Sequence, residues 1–146
     1  MKTEITEAIR PTIEEEQEEF IHDFNELGDW MTQYSCLLEL SADLPALSEE
    51  QKKPEHLIPG CQAKLWLVLS CQDGLVSVQA DSESLIVKGI VAVIAALFDR
   101  RTPEEILHAK IVFLERTSLQ QQISADRFHG MKSVIQAIQD YSMKVS

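Results

Sequence analysis

The stretch Leu85–Phe98 is apolar at every position except Lys88 and Gly89. At 14 residues it falls short of the roughly 18–20 that a membrane span requires. An element apolar on all sides must instead be wrapped by the rest of the chain. The sequence therefore predicts a buried helix through the middle of a core, capped at its start by Asp81 or Ser82. Every other element has to offer it an apolar face.

Such faces are present. Ile13, Phe20, Ile21, Phe24 and Leu27 recur at helical spacing with glutamates between them, and Gly28 ends the run. Trp30, Met31, Tyr34, Leu37 and Leu38 line a second helix, stopped by Asp43-Leu44-Pro45. Ser48 with Gln51 forms a capping-box pattern for a short helical turn. From Leu57 to Asp81 the period changes to two: Ala63, Leu65, Leu67 and Leu69 share one face, Lys64, Trp66 and Val68 the other. Asp73-Gly74 is a tight-turn dipeptide, and Val76, Val78 and Ala80 alternate after it. These residues predict a β-hairpin with one buried face. Thr102-Pro103-Glu104-Glu105 combines an N-cap, proline at the first helical position and a capping glutamate. A last helix begins near Ser124 and carries Phe128, Met131, Val134, Ile135, Ile138 and Tyr141. Contiguous strands between helices predict an α+β fold, a small antiparallel sheet packed with helices.

The 146 residues fit one domain, with residues 1–11 expected to form a flexible N-terminal extension. A chain of this size buries roughly 68–70% of its unfolded surface, so the core needs neither disulfides nor a structural metal. Thirteen Lys and Arg stand against 24 Asp and Glu, a net charge of −11. That surface repels phosphate backbones and anionic lipid, so neither nucleic acid nor a membrane is an expected partner. The acidity serves either plain solubility or the choice of a basic partner. The N-terminal residues are acidic and lack the apolar core of a signal peptide, and the expected compartment is the cytoplasm. Cys36, Cys61 and Cys71 are odd in number and lack CxxC spacing, which argues against a disulfide framework.

Chemistry concentrates at Leu57-Ile58-Pro59-Gly60-Cys61-Gln62. Proline and glycine before a cysteine predict a bend where the chain enters a strand, with the sulfur uncovered on one side. The thiol is either reactive or an incidental loop cysteine. Cys36 and Cys71 lie within apolar patterns and read as small hydrophobes. A thiol hydrolase would need an imidazole and an oxyanion hole. His22 and His108 fall on exposed helix faces, His129 stands at the start of the last helix, and His56 has no evident orienting partner. Cysteine spacings of 25 and 10 residues do not suit zinc or an iron–sulfur cluster. Phosphate loops and dinucleotide fingerprints are absent.

From about residue 20 to its C-terminus the chain resembles the SufE family, sulfur acceptors that partner pyridoxal-phosphate-dependent cysteine desulfurases. The resemblance rests on Asp29-Trp30, Tyr34, Glu39-Leu40 and Leu44-Pro45-Ala46-Leu47. More specific are Ile58-Pro59-Gly60-Cys61-Gln62 with Leu65-Trp66, then Asp81-Ser82 with Ile86-Val87-Lys88-Gly89, then Arg127 with Gly130. It implies a SufE/IscU-type α+β fold in which Cys61 accepts persulfide sulfur, on a loop tucked into an apolar cavity and able to swing out. It also implies stimulation of the desulfurase and delivery of sulfur to an iron–sulfur scaffold or other acceptor, with no cofactor of the protein's own. Gly60 and Gln62 would shape the loop, and Arg127 would stabilise the thiolate or persulfide unless it only pairs with a carboxylate such as Asp126 or Glu115. Asp81 would cap the helix, order the strand–helix junction or face the partner. Phe128-His129 stand where family members tend to carry small or polar residues, and Cys36 and Cys71 match no family motif. The alternatives are an iron–sulfur scaffold and an adaptor that activates a desulfurase without carrying sulfur.

Overall fold

The computed structural model describes residues 10–59 and 63–146. Its elements are α1 (Ile13–Glu26), α2 (Trp30–Ser41), a 3-10 turn at Pro54–His56, β1 (Leu65–Gln72), β2 (Leu75–Ser82), α3 (Leu85–Phe98), α4 (Pro103–His108), α5 (Leu119–Gln122) and α6 (Ala125–Val145). The architecture is α+β, as the residue pattern predicts.

The apolar helix α3 occupies the centre. All but Leu85, Lys88 and Ala96 of its residues are buried, and it packs against α1, α2, β2 and α6. Each buried Ile, Val or Leu contributes about 1.5–3 kcal/mol of burial free energy. The cap differs from expectation. Ser84 accepts the Val87 N–H through its side chain, while Asp81 and Ser82 still belong to β2. The hairpin keeps its hydrogen bonding to Ser82, so the first residue free to turn its hydroxyl into the helix comes later.

Gly89 allows α2 to approach α3 closely. A Cβ there would lie 2.2 Å from the Leu37 carbonyl oxygen. This contact selects the buried face of α2, which consists of Gln33, Leu37 and Ser41. Met31 is left 82% exposed and Tyr34 lies on the surface, contrary to the face the apolar spacing predicts. Gln33 can be buried because its amide donates to Phe24 C=O at 3.0 Å and accepts from Ser118 Oγ at 2.6 Å.

The hairpin pairs β1 and β2 from Leu65↔Ser82 to Gln72↔Leu75. Asp73 and Gly74 both take positive φ, 55° and 76°, the backbone of a type I′ turn. Leu65 and Leu67 face the core, but Trp66 is buried too, so at this end both faces of the hairpin are covered. The cover is the segment after α2, whose Ser48 and Gln51 form the expected reciprocal capping bonds. At the other end Val76 bridges to Arg101.

Arg10 and Pro11 are tied to the fold: the Arg10 guanidinium donates to Asp99 C=O at 3.2 Å, and Pro11 C=O accepts from Arg101 at 2.8 Å. The rest of the N-terminal extension expected from the sequence, residues 1–9, lies outside the described residues. Thr12 and Glu15 start α1 with a capping box.

Candidate functional site

Gly60, Cys61 and Gln62 lie outside the described residues; the chain on either side of them is hydrogen-bonded to the hairpin. On the near side Leu57 bridges Trp66, and the Ile58 N–H donates to Leu65 C=O at 2.9 Å. On the far side Lys64 is held by Glu83: its N–H donates to Glu83 Oε1 at 3.1 Å, and its C=O accepts the Glu83 N–H at 3.0 Å. The Ser82 hydroxyl adds a bond to the same carbonyl at 2.9 Å. Backbone pairing thus clamps both ends of the segment from Pro59 to Ala63.

One rung down from the clamp, Trp66 faces Asp81 across the hairpin. Asp81 is 5% exposed. Its Oδ2 accepts the Leu47 N–H at 3.1 Å and its Oδ1 the Ser82 N–H at 2.8 Å. Lys88 lies 3.2 Å and Lys52 3.6 Å from the carboxylate, and the Lys52 ammonium also sits over the Trp66 ring at 5.2 Å. Burial works to raise the Asp81 pKa; the Leu47 N–H, Lys88 and the Ser82 N–H outweigh it, and the net direction is down. Asp81 is therefore an ionised tether between the hairpin, the covering segment and α3, and not a helix cap.

The lysines are what the sequence reading missed. A signal existed for Lys88, the one charge in an otherwise apolar helix, because a charge entering a core needs a partner. Lys52 gave none. Lys52 and Lys88 both pair with Asp81 here, and Glu83 brings a second carboxylate to the clamp.

Arg127 stands in the first turn of α6, half-buried, its N–H donating to the capping Ser124 Oγ at 3.2 Å. Glu115 pairs instead with Lys132, at 2.6 Å. His56 does have an orienting partner: Nδ1 lies 2.8 Å from Gln51 C=O, which requires the proton on Nδ1 and leaves Nε2 free to accept when the ring is neutral. Cys36 and Cys71 are half-buried against the core. Burial, helped by the Glu39 carboxylate, pushes the Cys36 thiol up and disfavours its thiolate. Among the described residues no three His, Cys, Asp or Glu side chains cluster as a metal site, and no helix is long and apolar enough to cross a membrane.

A solved structure similar to this chain is the solution structure of a hypothetical protein from Thermus thermophilus, at TM-score 0.73 and 16% identity, covering 88% of this chain and 94% of that one. That likeness is one of fold. Residues 18–142 match the family described as SufE, Fe-S metabolism associated domain. With most of its length matched, the chain belongs to the SufE family of iron–sulfur metabolism.

Proposed function

We propose that this chain, acting as a single domain, accepts persulfide sulfur on Cys61 from a pyridoxal-phosphate-dependent cysteine desulfurase, stimulates that enzyme, and passes the sulfur on for iron–sulfur assembly. The observation that supports the reading is the clamp at Ile58–Leu65 and Lys64–Glu83, next to a corner where Lys52 and Lys88 pair with Asp81. Backbone and side-chain bonds hold Ile58 and Lys64, the described flanks of the segment that carries Cys61.

In the transfer, the Cys61 thiolate attacks the outer sulfur of the donor's cysteine persulfide. The new S–S bond forms on Cys61, the donor's S–S bond breaks, and the donor leaves as thiolate. One sulfur atom moves, and no external oxidant or reductant is consumed. Gly60 and Gln62 are assigned to loop shape, and Arg127 to holding the anionic thiolate or persulfide. Asp81 is assigned to ordering the hairpin against α3 and the segment after α2. Cytoplasmic location is part of the same proposal.

The test is Cys61→Ser assayed with a cysteine desulfurase. Loss of both sulfur acceptance and stimulation, in a variant that unfolds like the parent, supports the reading. Full stimulation by the variant would favour the adaptor alternative.

A further inference from the structure

α1 and the C-terminal ends of α2 and α3 enclose a groove of about 600 Å³. Phe20, Leu40, Leu44, Val78, Ala92 and Ala96 form an apolar floor. Val78 pairs with Leu69, four residues along β1 from Leu65, which sets the groove about 13 Å from the clamped end of the hairpin.

The rim is acidic. Glu19 and Asp23 stand on α1 and Asp43 just beyond α2, and Arg10 brings a basic side chain to the lining at the Pro11 end. Glu19 and Asp43 are exposed and enter no ion pair among the described residues. α2 and α3 both end beside the groove, where their macrodipoles add negative partial charge. The chain itself displays the consequence. At one end of the groove, beside Pro11, the Arg10 guanidinium donates to the carbonyls of Ala96, Asp99 and Arg100 at 3.4, 3.2 and 3.2 Å and lies 3.7 Å from Glu16.

We propose that this groove docks a basic amphipathic segment of a partner protein, its apolar side chains on the floor and its Lys or Arg against the rim. Helix-in-groove recognition uses this division of labour, and complementary charge fixes register and speeds encounter. A nucleic acid or a second copy of this acidic chain brings the wrong charge.

The probe is a short fluorescein-labelled amphipathic peptide of leucine and lysine, titrated by anisotropy with the full chain. Its control replaces every lysine with glutamate. The lysine peptide is expected to bind and the glutamate peptide not. Glu19→Lys with Asp43→Lys should weaken binding about tenfold or more, whereas Glu49→Lys with Glu104→Lys, equal in net charge but off the groove, should change it by less than about threefold. Ala96→Trp, which fills the groove from an exposed position, should weaken it similarly to the rim pair. Equal losses from the two lysine pairs, or no effect of Ala96→Trp, would overturn the proposal. Ile5→Asp with Ile9→Asp raising affinity about tenfold would instead give the groove to the chain's own N-terminal residues. A wild-type dimer abolished by Ala96→Trp would give it to a second copy. None of these readouts involves Cys61, so their failure leaves the sulfur-transfer reading untouched.

Discussion

The Lys88 ammonium lies 3.2 Å from the Asp81 carboxylate, joining the first turn of α3 to the last residues of β2. Asp81 also receives the Leu47 N–H and lies within reach of Lys52. One carboxylate therefore holds three parts of the chain together at the clamped end of the hairpin.

Asp81→Asn should cost about 2 kcal/mol at pH 7, since it strips two part-buried cations of their partner while keeping the side chain's shape. Because the folded-state pKa is lowered, the carboxylate's contribution is complete above its unfolded value of about 3.9 and is lost as pH falls through the lower folded value. Urea unfolding from pH 7 to pH 3 should show a constant gap between wild type and variant down to about pH 5, narrowing below about pH 4. A gap that widens in acid would contradict the assignment.

Gly89→Ala should destabilise by about 2–3 kcal/mol, because its methyl would meet backbone, the Leu37 carbonyl at 2.2 Å. Ala92→Gly, one turn on, changes the same helix without any close approach to relieve and should cost about 1 kcal/mol. Denaturant midpoints of the two variants check the comparison; equal losses would remove the α2–α3 contact as the cause.

The elements most legible in the sequence were those specified by short-range chemistry. Asp73-Gly74 dictates its turn, Thr102 and Ser124 cap their helices through hydroxyls bonding three residues on, and an apolar run interrupted only at Lys88 and Gly89 has to be core. What escaped is set by distant chain. The face of α2 is chosen by Gly89 fifty-two residues beyond Leu37, and apolar spacing alone cannot rank Tyr34 against Gln33. The lysines around Asp81 meet only once the hairpin and α3 are in place. The short helix α5 offers too few residues for a period to register.

Arg127→Ala should slow alkylation of Cys61 at neutral pH by about 3- to 10-fold if the guanidinium favours the thiolate, with little change in stability. Arg127→Lys should restore part of the rate, since it keeps the charge and loses the planar fork. The pH profile of alkylation decides the matter. Superimposable profiles for wild type and Arg127→Ala, with unchanged sulfur transfer, would reduce Arg127 to a surface residue.

The most direct measurement is site-resolved mass spectrometry of the wild-type protein after incubation with a cysteine desulfurase and cysteine. The account predicts an added mass of about 32 Da, one sulfur atom, on the peptide carrying Cys61, removed by a reducing thiol. The same adduct found mainly on Cys36 or Cys71, or no adduct while the desulfurase turns over, would contradict it.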